Sequence, residues 1–172
     1  MDFWDWLVES SLSDLEQSAI EAFPTTSKRQ FATQPIKITS IRWIPYVGMR
    51  TLYVRGMAQS EGREYNPVIL FTDVKYHPEL SPGLVEIVAT DGSQHILEKL
   101  SAADTDVRVS CNCPDFKWRF RYYNFVDHSL QGPKGKKYDA EGNRPPANPT
   151  ESPGLCKHLM KFSSVLHQAN LL

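Results

Sequence analysis

The chain has only three cysteines, no long apolar run and no excess of basic charge, and each of these absences excludes a class of protein. An odd number of cysteines, two of them only two positions apart, argues against a disulfide framework. No apolar run approaches the roughly 18 residues that span a bilayer, and the acidic start is unlike a signal peptide. With 19 basic and 20 acidic residues, the chain lacks the net charge of a protein that coats nucleic acid. We therefore expect a protein of a reducing cytoplasm, neither secreted nor membrane-spanning.

The three cysteines that are present belong to one pattern. Cys111 and Cys113 form a first pair, and Cys156 forms a second pair with His158. Three thiolates and an imidazole are donors that a tetrahedral zinc ion prefers, and paired spacing is typical of zinc sites. Because four protein ligands leave no position for an activated water, the predicted single zinc ion is structural. The alternative is that three buried cysteines and a histidine fall into this pattern without binding a metal.

A tetrahedral site restricts where each pair can lie. Zinc–sulfur bonds of about 2.3 Å place neighbouring sulfurs roughly 3.8 Å apart, whereas residues i and i+2 on a flat strand lie nearly 7 Å apart. Cys111 and Cys113 are therefore expected where a strand near 106–111 ends and curls. Residues i and i+2 of a helix point in different directions, so Cys156 is expected at the mouth of the final helix, with His158 in its first turn.

No motif in the sequence indicates an enzyme. There is no nucleophile elbow, no His-Glu-x-x-His, no phosphate-binding loop and no dinucleotide fingerprint. The run Gly132–Lys137 has the glycines and lysines of a phosphate loop but lacks its spacing and its following helix. We therefore predict a non-enzymatic protein with no small-molecule substrate, and an enzyme with an unrecognised site is the weakest of the interpretations.

The N-terminal 30 residues are predicted to be helical. A short helical turn is expected near 2–9, followed by a helix over 14–23 with Ser13 and Glu16 as its capping box and Pro24 as its end. The start of the chain is unusually apolar and carries two tryptophans. It is either a lid over the core or an anchor in a partner. Its apolar residues are Phe3, Trp4, Trp6 and Leu7.

Periodicity in the rest of the chain predicts an α+β fold. Apolar and polar residues alternate across 31–105, with turn signals such as Asp91-Gly92 between the runs, which indicates an antiparallel meander of five or six strands. The third segment, 106–172, is the zinc-binding unit with its long insert at 114–155. A helix is predicted over 114–126 and another from about Lys157. The buried face of that last helix is expected to contain Leu159, Phe162, Leu166 and Ala169.

The residues around the four ligands resemble a known family. Cys-Asn-Cys-Pro-Asp-Phe, followed by Pro-Gly-Leu-Cys-Lys-His-Leu, is similar to a SWIM-type zinc finger, whose pattern is Cys-x-Cys and then Cys-x-His. The resemblance covers roughly 95–170 and implies strands leading into the first pair, a helix carrying the second, and a role in binding DNA or protein. The gap between the pairs is longer than is usual for that family. The fuller run is also similar to small proteins of tailed bacteriophages.

The insert is where we expect the functional surface to lie. Its basic residues are interleaved with aromatic residues, the combination that binds phosphates and stacks on bases. The candidate nucleic-acid contacts are Lys117, Arg121, Lys134, Lys136 and Lys137. The alternative is that Phe116, Phe120 and Tyr123, spaced i, i+4 and i+7, are the packing face of a helix whose charges only face solvent. Long loops without structure of their own are usually functional or disordered.

Two functions follow from these features. The first is a non-enzymatic, zinc-stabilised structural protein, a small component of a tailed-phage virion or of its assembly machinery, located in the virion or the host cytoplasm and acting through contacts with other proteins. The second is a SWIM-type nucleic-acid-binding accessory factor that uses the basic and aromatic insert. A salt-dependent DNA shift that is lost on substitution of the insert lysines distinguishes the second from the first.

Overall fold

The computed structural model describes residues 10–24, 35–139 and 144–172. The helical turn predicted near 2–9 and the apolar N-terminal residues lie outside this part of the chain. None of the helices in the described ranges is long and apolar enough to cross a membrane.

Helix α1 spans Leu12–Ala22, two residues earlier at its start than predicted. The capping box is formed by Ser11 and Asp14 rather than by Ser13 and Glu16. The Asp14 amide donates to Ser11 Oγ at 3.2 Å, and the Ser11 amide donates to Asp14 Oδ2 at 3.1 Å. The Ser13 amide instead donates to the carbonyl of Ala102 at 2.8 Å. The capping box therefore has the predicted spacing of three residues but forms two residues earlier, where its side chains bind amides that have no partner within the helix.

The larger sheet has five strands, all paired antiparallel. Its strands are β1 (Lys37–Tyr46), β2 (Thr51–Ser60), β3 (Arg63–Tyr65), β4 (Val68–Phe71) and β8 (Val107–Ser110). The order is β1-β2-β4-β8, and β3 pairs with the far end of β2. Strand β8 lies at one edge, so the chain leaves the sheet there and enters the segment that carries the first cysteine pair.

The smaller sheet has three antiparallel strands. They are β5 (Tyr76–His77), β6 (Leu84–Val88) and β7 (Gln94–Glu98), in the order β5-β7-β6. The hairpin predicted at Asp91-Gly92 is confirmed, and Gly92 has the positive φ of 86° that such a turn favours. The α+β class is confirmed, with the strands divided between two sheets. The Tyr76 hydroxyl donates to the Thr51 carbonyl at 2.6 Å and so joins the two sheets.

Two helical segments follow β8. The helix predicted over 114–126 is present and contains a π-helical turn, Phe116–Phe120, before helix α2, Arg121–Val126. The last helix, α3, spans Lys157–Gln168 and buries Leu159, Phe162 and Leu166 as predicted.

The prediction that Ala169 lies on the buried face of α3 is wrong. It is exposed and follows the end of the helix. Asn170 adopts a left-handed conformation, with φ of 64°, which turns the chain away from the helix axis. Leu171 and Leu172 then occupy buried positions instead.

Helix α3 packs on the two long strands of the larger sheet. The helix and the sheet approach each other closely at Gly56 in β2, where a Cβ atom would lie 2.9 Å from the Phe162 ring. Glycine at this position lets the ring lie against the strand backbone. Each fully buried aromatic or leucine side chain of this kind contributes about 1.5–3 kcal/mol to the free energy of unfolding. The face of α3 that follows the second ligand pair is therefore fixed to the sheet.

Candidate metal centre

The first ligand pair lies where a strand ends, as predicted. Strand β8 stops at Ser110, and Cys111 and Cys113 follow it directly. Between them, Asn112 accepts a hydrogen bond from the Asn66 amide at 2.8 Å, which attaches this turn to the segment just before β4. The Cys113 sulfur accepts a hydrogen bond from the Phe116 amide at 3.3 Å, so the start of the next helix also holds the pair in place.

The second ligand pair lies at the mouth of α3, also as predicted. Cys156 is the N-cap residue, with extended backbone angles, and His158 lies in the first turn. The preceding residue, Leu155, is fully buried and fixes the approach of the chain to the helix.

A buried asparagine holds the turn before Cys156. Asn124 of α2 donates from Nδ2 to the Gly154 carbonyl at 3.0 Å and accepts from the Gly154 amide at 2.8 Å. A Cβ atom on Gly154 would lie 2.6 Å from the Phe120 ring and 2.9 Å from the Ala19 side chain. Only glycine therefore fits at this position, and both of its backbone groups are satisfied by one side chain.

The four predicted ligands form one buried cluster. One donor atom from each of Cys111, Cys113, Cys156 and His158 lies within 4.8 Å of all the others, and every one of these residues is at most 2 % exposed. The three cysteines are free thiols rather than disulfides. His158 Nδ1 lies 3.9 Å from Cys111 Sγ and 4.0 Å from Cys156 Sγ. These nitrogen–sulfur separations are slightly longer than those around a tetrahedral zinc ion, where the zinc–nitrogen and zinc–sulfur bonds are about 2.0 and 2.3 Å.

The imidazole of His158 is oriented by its surroundings. Its ring packs on the Tyr65 ring, with the ring centroids 4.6 Å apart and an interplanar angle of 34°. Nδ1 faces the sulfurs, and Nε2 is buried among atoms with which it makes no hydrogen bond. The donor set is therefore three sulfurs and Nδ1, and it could bind one metal ion.

The electrostatics of the three thiols favour a cation between them. Burial, together with the two neighbouring thiols, raises the pKa of Cys156 well above its usual range. Hydrogen bonds from Cys111 and Cys156 hold the pKa of Cys113 well below its usual range. The pKa of Cys111 is also raised, so burial and mutual proximity oppose the ionisation of all three thiols together. A divalent ion would offset the charge of the three thiolates, which is the usual role of a metal in such a set.

The structure brings four of the five predicted nucleic-acid contacts to one place. A groove of about 520 Å³ lies between the helical segment after β8 and the loop at 133–136, and its basic lining residues are Lys117, Arg121, Lys134 and Lys136. The fifth, Lys137, is exposed but does not line the groove. Of the packing face in the alternative interpretation, Phe116 and Phe120 are buried and Tyr123 is half-buried. The packing face and the basic groove are therefore different sides of the same segment.

Sequence reasoning missed the asparagines that hold this region together. Asn124 is fully buried, and Asn148 is 2 % exposed and donates to the carbonyls of Arg119 and Ser152 at 2.8 and 2.7 Å. A signal existed for Asn124, because it follows Phe120 by four residues and so lies on the buried side of the helix. Asn148 lies in an irregular segment, where no periodicity indicates burial.

Another polar cluster on the smaller sheet resembles a catalytic triad in composition only. Ser93 Oγ donates to Asp91 Oδ1 at 2.5 Å, and His95 Nε2 lies 2.8 Å from the same Oγ. Because a hydroxyl has one proton and a carboxylate can only accept, His95 Nε2 must be the donor to Ser93. In a triad the imidazole takes the serine proton. The hydrogen bonds from Ser93 instead lower the pKa of Asp91 and close the turn.

Comparisons of the chain with protein-family models, with curated proteins and with solved structures found no match. The resemblance to SWIM-type zinc fingers therefore stays a prediction that rests on the four ligands and their spacing.

Proposed function

We propose that this protein is a non-enzymatic, zinc-stabilised interaction protein, and that it serves as a small component of a tailed-phage virion or of its assembly machinery. One observation carries the zinc-stabilised part of this proposal: four donors from two distant parts of the chain lie within 4.8 Å of one another in a buried site. A site of this kind joins the end of a sheet to the start of a helix and so stabilises a surface for other proteins. The virion role rests on the resemblance of the run around these ligands to small proteins of tailed bacteriophages.

The donor set supports zinc as the metal and a structural role for it. Thiolate and imidazole ligands suit zinc, and sites with three cysteines and a histidine are typical of structural zinc. When bound, the ion would supply charge neutralisation and a rigid connection between β8 and α3. The order of strand, cysteine pair, insert and helix agrees with what the SWIM resemblance implies.

The metal is tested by its stoichiometry and by cobalt substitution. Protein purified without added metal is expected to contain one zinc ion per chain, measured by elemental mass spectrometry. Replacement by Co²⁺ is expected to give the intense visible bands of tetrahedral cobalt with thiolate-to-metal charge transfer in the near ultraviolet. Protein without bound metal, or octahedral cobalt spectra, contradicts the proposed site.

The assembly role requires a separate test. The protein is expected among the components of purified particles of the phage that carries this sequence, at a fixed copy number relative to the major capsid protein, by quantitative mass spectrometry. Particles assembled without it are expected to be incomplete in electron micrographs. Complete and infectious particles without the protein contradict a virion or assembly role while leaving the zinc site intact.

The second function, nucleic-acid binding, is favoured by one specific observation, which is the basic groove beside the metal centre.

A further inference from the structure

We propose that the groove beside the metal centre binds a single-stranded nucleic acid. This inference rests on the second proposed function, nucleic-acid binding, and names the kind of nucleic acid; it does not depend on the virion role. Six side chains form its recognising surface. They are Asn112, Lys117, Trp118, Arg121, Lys134 and Lys136.

The first support is the concentration of one charge. The whole chain has a net charge of −1, yet four basic side chains line one groove of about 520 Å³. Among the residues that the structure describes, no acidic side chain lines it. A local cluster of this kind in a nearly neutral protein attracts a polyanion to that groove without coating the rest of the surface.

The second support is an exposed aromatic side chain in the groove, with another nearby. Trp118 is 64 % exposed although it is the largest apolar side chain of the groove. The Lys117 ammonium lies 4.8 Å from the centre of its ring. Near the groove, the Lys134 ammonium lies 5.2 Å from the ring centre of Phe125, which is also exposed. A ring with a neighbouring cation offers a base a stacking partner and offers the adjoining phosphate an opposite charge.

The exposed indole of Trp118 favours a single strand over a duplex. A base inside a duplex is already stacked on both faces, whereas an unpaired base can stack on an exposed indole. An acidic peptide satisfies the cations but leaves Trp118 without a planar partner. The combined chemistry of the groove is therefore that of a single strand of DNA or RNA.

The third support is that the groove is held in shape. Arg121 donates from Nη1 to the Pro133 carbonyl at 3.2 Å, which connects the helix to the loop. A Cβ atom on Gly135 would lie 2.9 Å from Arg121 Cγ, so glycine lets the loop lie directly on the arginine stem. A π-helical turn carries Lys117 and Trp118, and turns of this kind are frequent at functional sites. A groove fixed before binding loses less conformational entropy on binding.

The test uses the full-length, zinc-loaded protein and dye-labelled oligothymidylate and oligouridylate, with fluorescence anisotropy measured over a series of salt concentrations. Saturable binding at low salt is expected. For four phosphate contacts, the slope of log K against log salt is about −3, since each contact with a single strand contributes about −0.7. Comparison of the two oligonucleotides shows whether DNA or RNA is preferred.

Substitutions of the lysines and of Trp118 separate the phosphate contacts from the stacking contact. The double variant Lys134→Ala/Lys136→Ala is expected to reduce the magnitude of the slope by about 1.4. Trp118→Ala is expected to weaken binding roughly tenfold or more with an unchanged slope, because stacking releases no counterions. Trp118→Phe is expected to recover part of that loss. The control Lys99→Ala/Lys161→Ala removes the same charge from exposed positions outside the groove and is expected to change neither quantity.

Three results overturn the proposal. The first is no saturable binding of either oligonucleotide at low salt. The second is an equal loss of binding in the groove and control variants, which indicates attraction by charge alone. The third is that a duplex of the same length or polyglutamate binds at least as tightly as the single strands. Because the substituted side chains are exposed, circular dichroism and zinc content verify that each variant is folded.

Discussion

At the scale of single residues, the position of the second ligand pair depends on Gly154. Its two backbone groups are held by Asn124, and its missing side chain leaves room for the Phe120 ring and for Ala19 of α1. Three separate segments thus meet at one α-carbon, two residues before Cys156. Buried backbone groups held by one side chain allow little adjustment.

Gly154→Ala is therefore expected to destabilise the protein. The added methyl group would lie 2.6 Å from the Phe120 ring, so the ring or the turn must move. The free energy of unfolding is expected to fall by about 1–3 kcal/mol, measured by urea denaturation of the zinc-loaded protein. The matched control is Gly48→Ala, where nothing lies within 4 Å of the new Cβ. Equal stability of the two variants contradicts the tight packing described for Gly154.

At the scale of elements, the metal centre joins α3 to the sheet from one end while packing joins it along its length. The apolar face of the helix lies on β1 and β2, and the ligand pair lies at its first turn. The sheet has its own buried residues, such as Leu52, Ile69 and Phe71. Loss of the metal is therefore expected to act first on the helix.

His158→Ala tests this division between helix and sheet. The variant is expected to lose bound zinc, to lose part of its helical signal in the far ultraviolet, and to keep most of its strand signal. The free energy of unfolding is expected to fall by more than about 4 kcal/mol, a size that indicates loss of a metal or a comparable feature. His167→Ala, which changes an exposed histidine near the other end of α3, should keep one zinc ion. Complete unfolding of His158→Ala contradicts an independent sheet.

The hydrogen bond between Tyr76 and Thr51, which joins the two sheets, predicts that stability depends on pH in the alkaline range. Burial raises the pKa of Tyr76 to about 12 from its usual value near 10, and its hydroxyl donates to the Thr51 carbonyl. Between about pH 10 and pH 12, Tyr76 is therefore ionised in the unfolded chain but still protonated in the folded chain. Stability is therefore expected to be unaffected by this group below about pH 10 and to fall as the pH rises toward 12.

Tyr76→Phe provides the measurement. The variant is expected to be less stable near neutral pH, because it lacks the hydrogen bond to Thr51, and to lose the part of the alkaline decline that comes from Tyr76. Its tyrosinate absorbance is also expected to lack the ionisation step near pH 12. Tyr46→Phe, at the exposed end of the β1 hairpin, is the matched control. If stability falls identically at alkaline pH in Tyr76→Phe and in the parent protein, Tyr76 is not the cause of the decline.

At the scale of the whole molecule, stability is expected to follow the concentration of free zinc. An ion that binds only the folded chain contributes about 2.7 kcal/mol when its concentration is a hundred times its dissociation constant. The melting temperature is expected to fall on chelation and to rise continuously in a series of zinc buffers. Magnesium in the same series serves as a control, because it prefers oxygen ligands. A melting temperature independent of zinc contradicts a metal held in this site.

The sequence predicted the α+β class and the position of both ligand pairs, because strand alternation, turn residues and paired cysteines are local signals. The division of the strands into two sheets depends on distant pairings such as β4 with β8, which periodicity does not record. The helix start at Leu12 was missed because Ser11 and Ser13 offer equivalent caps. Ala169 was misplaced because the αL residue Asn170 ends the helical periodicity.

The insert begins directly after Cys113 and ends directly before Cys156, so an ion in the cluster would close it into a ring. Closing a chain of this length costs roughly 3 kcal/mol of conformational entropy, which metal binding would offset. Helix α2, which carries Arg121 of the groove, is attached through Asn124 to Gly154, two residues before the second ligand pair. Under metal starvation the chain would therefore keep its sheet but lose the groove, and the proposed affinity for single strands would report zinc availability.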